Sequence, residues 1–68
     1  MSEVIRGRVK KSKGKRAKIF LKDGFKFEGI ITNIDDTWLE LLDQKISAYK
    51  IIRIEDISDL DVYGEEGK

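Results

Sequence analysis

The sequence has no cysteine, no histidine and no proline among its 68 residues. The lack of cysteine excludes a disulfide, and the lack of both cysteine and histidine excludes the usual structural zinc sites. Histidine and cysteine are also common acid–base and nucleophilic groups of enzymes, and the chain has no glycine-rich loop that would cradle a phosphate. We therefore expect no enzymatic activity, no metal site and no cofactor.

Long apolar segments are absent too. No run approaches the ~20 residues that a membrane-spanning helix needs, and there is no apolar core of a signal peptide. We expect a soluble, cytoplasmic protein, and the lack of cysteine fits that compartment. A domain of 68 residues buries only about 60% of its unfolded surface. Association with further copies is the remaining common way to stabilise so small a core.

Charge is distributed unevenly along the chain, although the formal net charge is only +1. Residues 6–18 carry eight lysines or arginines and no acid, whereas residues 55–66 carry six acids and no base. A basic segment of this kind attracts the phosphates of nucleic acids. The alternative is a solvated segment whose charge only aids solubility. The eight cations are Arg6, Arg8, Lys10, Lys11, Lys13, Lys15, Arg16 and Lys18.

The central stretch, residues 17–42, predicts three antiparallel strands. Apolar and polar residues alternate on both sides of Asp23–Gly24, which is a strong signal for a β-hairpin. Gly29 interrupts the second apolar run, and a glycine inside a strand usually marks a bend or a close backbone approach. Asp35–Thr37 predicts the next turn, in which the Asp35 carboxylate is expected to accept local backbone N–H groups.

The complete pattern predicts an all-β domain over residues 16–63. Short strands, tight turns and the absence of proline favour a small, strongly bent antiparallel barrel. Its inward residues are expected to be Ile19, Leu21, Phe27, Ile31, Leu39, Leu41, Ile52, Ile54, Ile57 and Leu60. The five predicted strands span residues 17–22, 25–34, 38–42, 46–54 and 57–62.

The two ends of the chain are predicted separately. Residues 1–15 are predicted to form a basic arm or a short amphipathic element. In a helix, one face would carry Val4, Ile5, Arg8 and Val9. The alternation of residue types along this segment fits a strand equally well. Gly7 costs a helix about 1 kcal/mol relative to alanine. Residues 64–68 are expected to form a flexible acidic tail.

The run from Ile19 to Gly29, followed by Ile34–Asp35, resembles the first motif of the Sm-like (LSm) superfamily. It is most similar to the Hfq branch of bacterial RNA chaperones, in which an apolar strand, an Asn-Gly turn, a Lys-Leu-Gln-Gly segment and a Phe-Asp turn recur. Tyr49–Lys50 resembles the start of that branch's Tyr-Lys-His motif, and Ile52–Arg53 resembles the Ile-Arg-Gly of the second Sm motif. Tudor and SH3-like barrels reuse the first pattern, so the resemblance predicts fold more firmly than function.

The resemblance implies a bent five-stranded barrel that assembles into a hexameric or heptameric ring and binds single-stranded, U- or A-rich RNA. In the superfamily, bases stack on the turn after the second strand, and a lysine or arginine near the fourth strand contacts phosphates and base edges. Transferred to this sequence, the first set is Asp36, Thr37 and Trp38, and the second set is Lys50 and Arg53.

Several family residues are missing from these positions. Thr37 stands in place of the stacking aromatic or histidine, and Leu39 stands in place of the asparagine that reads the base in Sm proteins. Ile51 replaces the histidine after Tyr-Lys, and Ile54 replaces the glycine after Ile-Arg. The resemblance therefore implies a conserved fold and ring with a diverged uridine pocket.

The leading hypothesis is an Sm-like homo-oligomeric ring that forms a ribonucleoprotein, with no membrane and no small-molecule substrate. Two alternatives stay open: a barrel that acts as a protein-interaction or assembly module without RNA, and a small DNA-binding barrel. Trp38 and Tyr49 fit base stacking or, more commonly, a core or subunit interface. The predicted RNA-binding residues are Arg6, Arg8, Lys10, Lys11, Lys13, Lys15, Arg16, Thr37, Trp38, Lys50 and Arg53.

Overall fold

The computed structural model of the protein describes residues 3–64, as one helix followed by five strands. Within this range no helix is both long and apolar enough to span a membrane. The predicted acidic tail, apart from Gly64, lies outside the described residues. The elements in chain order are α1 (Glu3–Lys10), β1 (Arg16–Leu21), β2 (Lys26–Ile34), β3 (Trp38–Asp43), β4 (Ala48–Arg53), the 3₁₀ helix Ile54–Asp56 and β5 (Ile57–Val62).

The five strands form one antiparallel sheet in the order β4-β3-β2-β1-β5. Strands β1 to β4 follow one another as a meander, and β5 returns to pair with the outer side of β1. The 3₁₀ helix separates β4 from β5, at the gap between the predicted fourth and fifth strands. The all-β fold is thus confirmed, and the N-terminal element that the sequence left open between helix and strand is a helix. Strands β4 and β5 form the two edges of a partly open barrel.

Strand β4 is shorter than predicted. Residues 44–47 form a turn, and Ser47 adopts a positive φ of 53°, which breaks the extended backbone before Ala48. Ile46 therefore lies in the turn and is exposed rather than being the first residue of the strand. At the other end, Ile54 belongs to the 3₁₀ helix, although it is buried as predicted. The gap predicted between the third and fourth strands, residues 43–45, thus extends through Ser47. Alternation did not indicate the extension because Ile46 and Ser47 continue the period of the strand.

The core agrees with the predicted inward face and adds a contribution from the helix. Of the predicted inward residues, Leu21, Phe27 and Leu60 are only partly buried and pack against the rest. Val9 and Ala17 are fully buried and were not predicted to be core residues. The predicted residues that are buried are Ile19, Ile31, Leu39, Leu41, Ile52, Ile54 and Ile57.

Helix α1 depends on this packing because eight residues are too few for a stable isolated helix. Val9 is buried and Ile5 packs against the core, whereas Val4 is exposed. After the helix, the buried Ser12 hydroxyl donates a 2.6 Å hydrogen bond to the Val9 carbonyl. The following loop joins β2 through the 2.7 Å bond from Gly14 N–H to the Ile31 carbonyl. The basic segment is therefore anchored to the barrel.

The bend in β2 is set by a close backbone contact at Gly29. This residue lies opposite Ala17 on β1, while the neighbouring Ile30 pairs with Leu42 on β3. A Cβ atom on Gly29 would overlap the Leu42 carbonyl oxygen and would lie 2.9 Å from its carbonyl carbon. Both atoms belong to the backbone, so the overlap cannot be relieved by rotating a side chain. Only glycine fits this position without moving β3.

Replacing Gly29 with alanine should therefore lower the free energy of unfolding by about 2–3 kcal/mol, the upper range for overpacking a core, and valine should cost more. Chemical denaturation of the purified variants measures this change. Gly7→Ala is the matched control because a Cβ at Gly7 would meet nothing within 4 Å. That change should raise the stability by about 0.5–1 kcal/mol. Equal stability of Gly29→Ala and wild type would contradict the close contact.

Candidate nucleic-acid interface

Helix α1 contacts the turn between β2 and β3, so part of the predicted basic arm and the predicted turn residues lie on one surface. Arg6 Nη1 donates a 2.6 Å hydrogen bond to the backbone oxygen of Asp36. Lys10 Nζ lies 3.4 Å from Asp36 Oδ1. We call these contacts the α1–turn contact. A carboxylate beside the turn would repel a phosphate, but the Asp36 carboxylate has the Lys10 ammonium beside it.

The β2–β3 turn is held in shape by Asp35, as predicted. Asp35 Oδ1 accepts hydrogen bonds of 2.8 Å from the Thr37 N–H and 2.7 Å from the Trp38 N–H. These bonds, first that from Trp38 and then that from Thr37, hold the pKa of the Asp35 carboxyl below its usual value of 3.8. The ionised carboxylate therefore fixes the direction in which Thr37 and Trp38 leave the turn.

Two aromatic rings, Trp38 beside this turn and Phe27 near the start of β2, each have a cation close to the ring. The Arg53 guanidinium carbon lies 5.4 Å from the centre of the Trp38 ring, and Lys50 Nζ lies 5.3 Å from the centre of the Phe27 ring. Both distances are within the range of cation–π attraction. The first pair follows from the register, because Trp38 and Arg53 are partners across β3 and β4.

These four side chains line a single open groove, which we call the Trp38 groove. Trp38 is 42% exposed, so its ring is neither a core residue of the monomer nor fully solvated. Leu21, Ile52 and Asp56 complete the lining together with Ile51. The structure thus brings together three of the predicted site residues, Trp38, Lys50 and Arg53. A groove with exposed rings and adjacent cations has the chemistry that binds a base and its phosphate.

The other predicted cations lie elsewhere. Arg16, at the start of β1, has its Nε 3.8 Å from Glu28 Oε2 on β2. Lys11 is exposed immediately after α1. Arg8, Lys13, Lys15 and Arg16 line a pair of adjoining grooves beside Tyr63. The basic segment is therefore divided, because Arg6 and Lys10 face the β2–β3 turn and the remaining groove-lining cations lie near the end of β5.

Three features of this interface were not predicted from the sequence. Phe27 was predicted to be a core residue, and its role beneath Lys50 follows only from the fold. Tyr63 was not singled out, although an aromatic residue just after the last strand is the one local signal that it offered. The approach of α1 to Asp36 joins residues that are distant along the chain, and no local pattern indicates it.

Comparisons with known proteins agree with this architecture. No family model matches the chain, and no curated protein matches it. Several solved chains are similar in structure, among them a crystal structure of the pleiotropic translational regulator Hfq. The alignment has a TM-score of 0.73 and 21% sequence identity, and it covers 88% of this chain and all of the Hfq chain. The protein has the Sm-like fold. This confirms the fold implied by the Ile19–Gly29 motif.

Replacing Asp35 with alanine should destabilise the protein at neutral pH because two turn N–H groups lose their acceptor. The folded-state pKa is lowered, so the carboxylate stabilises the fold above pH 3.8, its ordinary pKa, and this contribution is lost as the pH falls through the lower folded-state value. The stability difference between wild type and Asp35→Ala should therefore narrow in acid. Denaturation curves from pH 7 to about pH 2 measure this trend.

Asp43→Ala is the matched control for this measurement, because Asp43 accepts one turn N–H, from Lys45. Its destabilising effect at neutral pH should be smaller than that of Asp35→Ala. A difference between wild type and Asp35→Ala that stays constant from neutral pH into acid would contradict the role of the ionised Asp35 carboxylate.

Proposed function

We propose that the protein binds single-stranded RNA as an Sm-like ring. The observation that carries this proposal is the α1–turn contact, which sets the cations Arg6 and Lys10 beside the turn that presents Trp38. Beyond Trp38, Arg53 and Lys50 continue the positive charge along the groove. A strand that crosses this surface meets phosphate-binding side chains on both sides of an exposed aromatic ring.

The cations and the rings would contribute differently to binding. Lysine and arginine neutralise phosphates irrespective of base, which gives affinity that falls steeply with salt. Rings stack on bases and add binding energy that depends weakly on base identity. Because Thr37 and Leu39 replace the family's stacking and base-reading residues, the α1 cations should supply most of the affinity. The selectivity should come from Lys50 and Arg53 in the Trp38 groove, which stand at the positions where the family contacts base edges.

The two free edges of the sheet support assembly. Among residues 3–64, β4 pairs only with β3 and β5 pairs only with β1. Strand β4 carries Lys50 and Arg53, whereas β5 carries Asp59 and Asp61. Opposite charges favour pairing β4 of one copy with β5 of the next and disfavour pairing two like edges. Such head-to-tail pairing makes closed rings when the rotation closes.

A protein-interaction function is the second candidate, and the outer face of β4 favours it. Tyr49 and Ile51 are 61% and 58% exposed on this edge strand. Large apolar side chains on a free edge usually mark a surface that another chain covers. A second copy would cover them in the ring, whereas a different protein would cover them in an assembly module.

The third candidate function is DNA binding, in which duplex or single-stranded DNA takes the place of RNA.

Ring formation predicts a native mass of six or seven times the 7.9 kDa of one chain. Stability should then rise with protein concentration, because assembly stabilises the folded state by mass action. Native mass spectrometry and melting curves over a wide concentration range measure both quantities. A monomer at micromolar concentration, with a melting temperature independent of concentration, would overturn the ring and leave a solitary barrel.

Oligonucleotide binding tests the RNA function. Truncation of residues 1–13 is a poor test because it removes the buried Val9 and Ser12, so the double substitution Arg6→Gln and Lys10→Gln is used instead. We expect this variant to bind oligo-U and oligo-A much more weakly than wild type. The plot of log affinity against log salt concentration should become less steep by about 1.4, or about 0.7 for each lost phosphate contact.

Single substitutions separate the two surfaces. Lys50→Ala should cost less affinity and should change mainly the preference between oligo-U and oligo-A. Lys22→Gln, an exposed cation after β1, is the control and should leave binding nearly unchanged. If the α1 variant binds normally while Lys50→Ala abolishes binding, a family-type pocket carries the affinity. Tighter binding of DNA of the same sequence would favour the DNA-binding alternative, and no binding of either would favour the protein-interaction module.

A further inference from the structure

We propose that Tyr63 is a second base-stacking platform, at which one base of a bound single strand lies against the phenol ring while neighbouring cations bind the flanking phosphates. This site shares no lining residue with the Trp38 groove. The inference rests on the proposed function, since it requires that the protein bind single-stranded nucleic acid. It adds a residue that neither the sequence motifs nor the Sm-like resemblance assigns.

The backbone at Tyr63 is fixed although the residue lies beyond the last strand. Its N–H donates a 2.9 Å hydrogen bond to the Arg16 carbonyl, which continues the pairing of Ala17 with Val62 by one further step. The side chain is 39% exposed. A ring on an ordered backbone loses little conformational freedom when a base stacks on it, which is the property that makes tyrosine effective at binding surfaces.

Tyr63 lines two adjoining open grooves. Arg8, Asp61 and Val62 line the first groove, and Lys13, Arg16 and Ile30 line the second. Lys15, Tyr63 and Gly64 line both. Each groove next to Tyr63 therefore contains cations.

The floor of the second groove suits a flat ligand. Gly14 has no side chain, and a Cβ placed on it would meet nothing within 4 Å. Ile30 adds an apolar surface to the same lining. A flat group that approaches Tyr63 from this side therefore meets open space at Gly14 and an apolar side chain at Ile30. A nucleobase is flat and stacks through its faces, so it suits this lining.

The charge of the grooves selects the class of ligand. Four cations, Arg8, Lys13, Lys15 and Arg16, line them, and Asp61 is the acid among the described lining residues. Asp61 is the register partner of Lys18 on β1, a cross-strand pair of opposite charge. Arg16 is 3.8 Å from Glu28 but remains exposed on its other side. An inorganic anion would use the cations and leave the ring unused, whereas a nucleotide uses both.

Helix α1 links this platform to the Trp38 groove. Arg6 and Lys10 contact the β2–β3 turn, while Arg8 lines the groove beside Tyr63. One helix thus supplies cations in two directions, so a single strand that follows α1 meets positive charge between the two aromatic platforms. Such a path would hold more nucleotides per subunit than the Trp38 groove alone.

The test combines a change in the protein with a change in the ligand. Wild type, Tyr63→Leu and Tyr63→Phe are titrated with oligo-U and with an abasic strand of equal length and charge. Tyr63→Leu should weaken oligo-U binding about thirtyfold, the middle of the range for one stacked base, and should leave the salt slope unchanged. Phenylalanine should recover most of the loss. The abasic strand should bind wild type and Tyr63→Leu equally.

A photochemical readout makes the test independent of the folding of Tyr63→Leu. Wild-type protein is irradiated with oligo-U that contains 5-iodouridine, and the crosslinked residues are identified by mass spectrometry. A crosslink at Tyr63 is expected. If wild type binds oligo-U with a steep salt slope but Tyr63→Leu binds equally well and no crosslink forms at Tyr63, the platform is wrong and the proposed function stands. An equal loss for the abasic strand also overturns stacking, and failure of wild type to bind either strand overturns both proposals.

Discussion

The close approach of β2 to β3 at Gly29 is the constraint on which the rest of the molecule depends. At this point the Leu42 carbonyl occupies the space of a side chain. The contact lets one long strand pair with β1 at its beginning and with β3 at its end. A straight β2 would make a flat sheet, and Ile19 and Leu41 would not face a common core. The barrel, its two edges and the position of the β2–β3 turn all follow from the bend.

The surface chemistry follows from how the helix is attached to that barrel. Val9 is buried among strand residues, so α1 lies along the barrel instead of projecting from it. The attachment sets Arg6 and Lys10 against Asp36 and leaves Arg8 toward Tyr63. A disordered basic arm of the same composition would attract phosphates equally at long range, but it would present no fixed arrangement of cations and rings. Order in the helix therefore converts a charged segment into a surface with defined geometry.

The sequence predicts those parts of the structure that local patterns specify. Alternation around Asp23–Gly24 locates the first hairpin, and the Asp35 turn follows from side-chain acceptors next to their own backbone donors. The sequence did not decide between a helix and a strand in residues 1–15, because Gly7 lowers the stability of a helix. The burial of Val9, which stabilises the helix, is a tertiary contact that no local pattern indicates. The pairing of Lys50 with Phe27 depends on register and curvature across three strands. Residues that are distant in sequence and make contact only in the folded chain, such as Lys10 and Asp36, cannot be paired from a pattern in a single sequence.

The pairing of β1 with β5 has a consequence for how the chain folds. The hairpins from β1 to β4 pair strands that are neighbours in sequence. Ala17 on β1, in contrast, pairs with Val62 on the last strand, and this pairing requires a long loop to close. Closing so long a loop loses chain entropy before any contact compensates for it, and such non-local pairings slow folding. Until β5 docks, β1 exposes one edge, and Ile19 and Ala17 lack part of their cover. That transient edge can take β5 from another chain, so the step that completes the monomer competes with strand exchange between copies.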